Sequence, residues 1–371
     1  PSRFLAVTPK YTVIGSPQEG ANAGDVQVWD NISQSVVHTL ENPNPNGVFN
    51  TGDWQNRTNS DYFGWSVDAS DSWIVASAPY NDGGDTGSVY VFNADGGYQR
   101  EIVGNSTDSG GSNIFGWNVA VSTNYLAVSC SDNHKVVLFN PSTGARLRQI
   151  VVNNTDGSFG TAMDIDDTYL VVGQPFNQDQ GSAFGGKAFV YRLSNGSLAY
   201  ELENPGSSPL SDEFGKDVAM NDSIIVVGAP GDSNTGKVYV FNKGDGSLLH
   251  TITNPNVYAG TDPQDKFGYN VALSSKYLLV SAPYEDQFGY ANSGAIYSYD
   301  LSDLGSNTPL RQFENPNVFA NGEFGYSLAA SPDGLYAACS GDIEVANDIN
   351  KAVYHFNVEQ FTRYSTLYPG I

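Results

Sequence analysis

Short apolar runs rich in valine, isoleucine, tyrosine and phenylalanine return along this chain at nearly fixed intervals, separated by turns of Gly, Ser, Asn and Asp. The unit is clearest between residues 63 and 103. FGWSVDAS (63–70) predicts a first strand, and a turn at Ser70-Asp71-Ser72 leads into WIVASAP (73–79). That continuous apolar run is the mark of a strand buried on both faces. After a loop at 80–87, SVYVFN (88–93) alternates and is rich in β-branched and aromatic residues, as strands are. A turn, ADGG, precedes YQREIV (98–103), an outer strand with polar residues toward water.

The same order recurs in register. A Phe-Gly pair ends at Gly64, Gly116, Gly160, Gly215, Gly268 and Gly325, and fifteen residues further on stand Pro79, Ser131, Pro175, Pro230, Pro283 and Ser340. Pro17 stands fifteen after Ser2, so a seventh copy starts at Pro1-Ser2. Third strands are expected at 24–30, 134–140, 186–192, 236–242, 294–300 and 351–357, and fourth strands at 36–43, 198–205, 248–255, 310–316 and, as the weakest match, 361–367. A four-stranded unit of this size cannot bury both faces alone, but seven stacked radially can. The expected fold is therefore all-β: a seven-bladed β-propeller with four antiparallel strands per blade. A flat sheet of that many strands lies outside normal sheet sizes, and with no sustained 3.6-residue period, helices should be nearly absent. Residues 1–371 are expected to form one domain, with blades near 3–41, 62–103, 114–152, 158–203, 213–253, 266–314 and 323–368, closing where blade seven meets blade one.

Phe-Gly followed by a small residue, Ala and Pro, then GxVYVFN and a strand ending in Asn-Pro, resembles the FG-GAP repeat. That repeat builds the propeller of integrin α subunits and of many bacterial and phage surface proteins. The resemblance covers essentially the whole chain and implies recognition or adhesion without turnover, outside the cell or on a virion. In the integrin type, several blades carry a calcium loop between the first and second strands. Here that turn is minimal in every copy: TPKY (8–11), SDSW (70–73), STNY (122–125), DDTY (166–169), NDSI (221–224), SSKY (274–277) and SPDG (331–334). None has room for the five or more oxygen ligands a calcium ion takes, so those calcium sites do not carry over, and Asp164, Asp166 and Asp167 remain a fragment of such a loop.

Function is expected in the irregular insertions, because the repeated strands specify only the scaffold. Two loop sets vary, and propeller geometry opens both on one face: those joining strands two and three (16–24, 79–87, 175–186, 230–236, 283–294 and 340–350) and those joining blades, above all 42–62, 254–266 and 315–323. The candidate binding face comprises Trp54, Tyr80, Asp82, Asp85, Phe176, Tyr258, Tyr284, Asp286, Tyr290 and Phe319. Aromatic rings beside carboxylates and amides suit a glycan or a protein, while Tyr80 and Tyr284 could equally serve as caps on the blade tops. No cofactor is required. Calcium is the one ion these loops could take, with Asp82 and Asp85, or Asp342, Glu344 and Asp348, as weak candidate ligands.

Charge narrows the partners. Seventeen basic against 40 acidic side chains give a net charge of −23, a field that repels nucleic acid and anionic lipid. No segment approaches the roughly 18 apolar residues of a membrane helix. Pro1 is expected to mark a processed or trimmed start. Cys130 and Cys339 both lie fourteen after their blade's Gly, at the place of Ala78, Ala229 and Ala282; three blades apart they could not bridge, and they are expected as small buried side chains. The four histidines, His38, His134, His250 and His355, are dispersed by the repeat, and no G-x-S-x-G, H-E-x-x-H or phosphate loop appears. The expectation is a non-enzyme. Two rivals remain open: a structural subunit of a fibre, sheath or virion packing through its blade sides against copies of itself, and a polysaccharide hydrolase or lyase with its site in the central channel.

Overall fold

The computed structural model describes residues 4–17, 24–44, 61–81, 87–105, 114–130, 134–152, 158–176, 185–206, 211–256, 264–345, 348–360 and 362–367. Its strands form seven separate four-stranded sheets, each an antiparallel meander in chain order, at 5–41, 67–103, 115–151, 162–203, 218–253, 271–314 and 328–367. Among the described residues the named helical elements are short 3-10 turns, Asp232–Asn234 and Leu301–Ser306. The chain is thus an all-β, seven-bladed propeller. It divides into two compact units, Pro1–Leu170 with Arg192–Ser197 and Pro369–Ile371, and Val171–Tyr191 with Leu198–Tyr368. The first holds the sheets at 5–41, 67–103 and 115–151, the second those at 218–253, 271–314 and 328–367, and the division runs through the fourth sheet.

Within each unit, successive sheets pack face to face. In the first, Val13, Val26 and Val28 of blade one meet Val67, Ile74 and Ala76 of blade two; in the second, Val226, Val238 and Val240 of blade five meet Val271, Leu278 and Val280 of blade six. In blades two, six and seven the phenylalanine of the Phe-Gly pair enters this layer and lies edge-on against an aromatic residue of its own third strand: Phe63 on Tyr90 at 5.5 Å, Phe267 on Tyr297 at 5.8 Å, Phe324 on Tyr354 at 5.2 Å. The pairing explains why the Phe-Gly and the Tyr-Val-Phe signatures travel together.

The glycine has a separate cause. Gly64 and Gly268 adopt φ of +88° and +87°, and a Cβ on either would stand 2.6 Å from a carbonyl oxygen of the preceding blade, Asp25 O and Lys237 O. Only glycine tolerates both the left-handed backbone and that approach.

All seven minimal turns are closed by their own side chains. The hydroxyl or carbonyl oxygen of Thr8, Ser70, Ser122, Asn221, Ser274 and Ser331, and the Asp166 carboxylate, each accepts the N–H of the residue at or just before the start of the second strand, at 2.6–3.2 Å. Asp167 meanwhile accepts from the Ser122 hydroxyl and from both nitrogens of Asn124. The aspartates that look like a calcium-loop fragment are thus occupied in turn and blade-to-blade hydrogen bonds.

First strands are shorter than expected. In blade two, 63–66 form a turn and the strand is Val67–Ala69, whereas blade three keeps Phe115–Val121. The segment 340–350, read as a loop, is mostly paired: Tyr336–Val345 and Asp348–Asn357 continue as one long hairpin. Cys130 and Cys339 are both buried, as expected.

Candidate functional site

The turn after each Ala-Pro and the connection before each Phe-Gly are held together by main-chain hydrogen bonds: Tyr80 N to Asp61 O, Gly231 N to Asp212 O, Tyr284 N to Asp265 O. In these blades the two variable loop sets therefore open at the same end. The connections carry a recurring clasp. Asn42, Asn204 and Asn254 donate from Nδ2 to Asp61, Asp212 and Asp265, each at 2.8 Å. The same side chains accept through Oδ1 from Asn44, Gly206 and Asn256, which turns the chain across the blade top. Asn315 repeats the turn with Asn317 but donates to Ser293 O, because Gly322 occupies the place of the aspartate.

Beneath the loops lies a buried polar node at the second residue after Pro. In blade two Asn81 donates to Tyr90 Oη and to Glu101 on the fourth strand. In blade five Asp232 receives Lys237 Nζ at 2.8 Å and the Tyr239 hydroxyl. Burial works to raise its pKa, but the hydrogen bonds from Lys237, Tyr239 and Ser233 hold it below the ordinary value. In blade six Glu285 is wholly buried and accepts from Tyr297 Oη at 2.7 Å on both oxygens, Asn256 Nδ2 at 2.7 Å and Gln287 Nε2 at 2.9 Å. No cation meets it among these partners, and burial pushes it up to about 7 despite the donors.

Above the nodes, partly exposed aromatic rings gather in each unit. In the first, Tyr62 lies edge-on to Trp65 (6.0 Å) and to Tyr80 (5.3 Å), and Trp65 packs against Trp117 at 5.1 Å. In the second, Lys216 Nζ sits over both Phe176 (5.5 Å) and Tyr269 (5.2 Å), while Tyr269 contacts Tyr284 and Tyr326. Glu213 pairs with Lys216 and Lys266, each at 3.1 Å. Burial opposes ionisation of Glu213, yet the two ammonium groups keep its pKa below the usual value. Tyr284 is pushed up to about 12, chiefly by burial.

Of the sequence-derived candidates, Tyr80, Phe176 and Tyr284 join these groups. Asp286 and Tyr290 lie on the exposed blade-six loop and Phe319 on the following connection. Trp54, Asp82, Asp85 and Tyr258 lie outside the described residues, as do the side chains of Glu344 and Asp348, whose backbones belong to the long hairpin together with Asp342. Among the described residues no three His, Cys, Asp or Glu side chains form a group that could hold a metal ion. The reading missed the residue directly after five of the six Phe-Gly pairs: Trp65, Trp117, Lys216, Tyr269 and Tyr326. Its signal was adjacency to the repeat's own landmark, where a side chain must leave the blade at its loop end.

Seven four-stranded antiparallel sheets in an all-β chain define a seven-bladed propeller. Residues 56–92, 210–241 and 260–299 match the FG-GAP repeat, on blades two, five and six, and seven four-stranded blades are consistent with an FG-GAP repeat propeller. No curated protein matches the chain.

Proposed function

We propose that this chain is a non-enzymatic recognition or adhesion module that works outside the cell or on a virion surface and binds a glycan or a protein through its loop face. The observation that carries the reading is the difference between the two ends of the blades. At one end seven minimal turns are closed by their own side chains, and at the other, long loops support partly exposed aromatic groups on buried polar nodes. Rigid aromatic rings with fixed polar neighbours are what recognition surfaces are built from. The inner-strand carboxylates Asp68 and Asp217, which a channel enzyme would draw on, accept the main-chain N–H of Val121 and Val271 in the neighbouring blades. The test is binding of the labelled chain to a glycan array and to intact cells, with Trp65→Ala and Tyr284→Ala as variants. Ligand binding that survives both substitutions, and likewise substitution of the exposed aromatics of the blade-six loop, sinks the loop-face reading.

A second reading rests on the outer strands. Val36, Tyr98, Leu147, Leu198, Leu248 and Leu310 are exposed near the start of six fourth strands, and apolar edge strands invite lateral association. Packing between copies through these edges, as in a fibre or a virion decoration, predicts concentration-dependent oligomers in sedimentation velocity that Leu248→Lys disperses.

A further inference from the structure

Blade six joins its second and third strands by a loop unlike the others described. Gln287 and Tyr290 exchange both main-chain hydrogen bonds, at 3.1 and 2.8 Å, across a two-residue tip, Phe288-Gly289. Both tip residues are left-handed, with φ of +52° and +85°. This turn favours Asn-Gly, and a bulky residue at its first position is strained. Phe288 is nevertheless there, 68% exposed, with Tyr290 47% exposed at the base of the tip.

The loop is held from below and from the side. Gln287 donates to the buried Glu285, and Gly294 N bonds Glu285 O. Laterally, Asp286 Oδ1 accepts Asn292 N at 3.0 Å, Asn292 Nδ2 donates to Asn321 Oδ1 at 3.0 Å, and Asn321 N bonds Ala291 O. The chain of side chains leaves Asp286 Oδ2, Asn292 Oδ1 and Asn321 Nδ2 without a hydrogen-bond partner among the described residues. An exposed, strained aromatic therefore stands on the same rigid loop as two acceptors and a donor whose directions are already fixed.

We propose that the blade-six loop and the connection after it form a carbohydrate subsite, in which Phe288 stacks on a sugar ring while Asp286 and the Asn292–Asn321 pair take adjacent hydroxyls. This rests on the loop-face reading and gives it a place and a ligand class. A few placed polar groups beside apolar surface fix a ligand's orientation, and a loop already ordered loses little freedom on binding. The sugar is neutral: Arg311 is the only basic residue between 283 and 323, while Asp286 and Glu323 stand at the site. Sialylated and sulfated glycans are excluded by that charge.

The experiment is a glycan array carrying neutral, sialylated and sulfated glycans, read with the full chain, followed by titration calorimetry with the best neutral oligosaccharide. Phe288→Ala, Asp286→Asn and Asn321→Ala should each weaken neutral-glycan binding tenfold or more. Phe288→Asn should weaken it equally while raising the melting temperature, because Asn relieves the strained turn; a merely structural Phe288 would lower both. Preference for anionic glycans, or neutral binding that Trp65→Ala or Tyr284→Ala abolishes while the three blade-six variants leave it intact, overturns the subsite and leaves the loop-face reading standing. A protein ligand bound through those same aromatic groups, with no glycan bound, does the same. Neither ligand class binding the loop face overturns both.

Discussion

Glu285 gives the sharpest physical test of the nodes. Its carboxyl is fully buried with three neutral side chains donating to it and is pushed from its ordinary value of 4.5 to about 7 by burial. Below pH 4.5 the folded and unfolded chains both hold this proton, and it contributes nothing to the pH dependence. Between 4.5 and about 7 the unfolded chain releases it while the folded chain keeps it, so stability falls as pH rises; above about 7 the loss is complete. The linkage amounts to roughly 3 kcal/mol in all, most of it between pH 5 and pH 8. Glu285→Gln removes the proton from the balance. The variant brings a fixed offset, because its new amide meets the donors Asn256 and Gln287, but that offset does not vary with pH. Glu213 and Asp232, held below their ordinary values, act in the opposite direction at acid pH and are common to both proteins. In urea unfolding followed by tryptophan fluorescence, the wild type should therefore lose roughly 2 to 3 kcal/mol more than the variant from pH 5 to pH 8. Parallel stability curves would refute the buried neutral acid.

Two further outcomes follow from the same geometry. Gly268→Ala places a methyl 2.6 Å from Lys237 O at φ +87° and should cost roughly 3 kcal/mol or more; a melting temperature within about 2 °C of wild type would show that the Phe-Gly glycine is dispensable. Cys130 and Cys339 are both buried, with burial pushing the Cys339 thiol up. Neither should react with Ellman's reagent in the native chain and both should in urea, so fast native labelling would contradict their placement.

Much of this architecture was open to reading. The strands Ser88–Asn93 and Tyr98–Val103 fall where alternation and turn residues place them, because a strand's period and its flanking turns are local properties. What escaped is non-local. The polar node moves its acid from one element to another: blade two has an amide at Asn81 and the acid at Glu101, while blade six has the acid at Glu285 and amides at Asn256 and Gln287. No single position shows the exchange, since the partners come from the loop, the fourth strand and the preceding connection. The clasps escaped likewise, although both halves, the Asn-Pro and the aspartate two before Phe, stood in plain sequence. The long hairpin at 336–357 ran against the expectation of a loop because Asp, Asn and Glu read as turn residues, yet ten backbone pairs carry its strands outward.

The repeat also explains how one scaffold can vary its surface so freely. At the loop end the Phe-Gly register is kept by main-chain groups: Gly64 N bonds Ser77 O, Gly268 N bonds Ser281 O, and Gly325 N bonds Ser340 O, at 2.8–2.9 Å. The glycine supplies the conformation and the phenylalanine the burial, so the very next side chain carries no structural duty that another residue could not meet. That position is Trp in blades two and three, Thr in blade four, Lys in blade five and Tyr in blades six and seven. A backbone-enforced register beside a side chain free to change is the arrangement that lets a binding surface diverge without unfolding its support. The same logic places Phe288 one loop further out: its strain is tolerable because the bonds holding its turn, from Gln287, Tyr290 and Gly294, are made by the backbone.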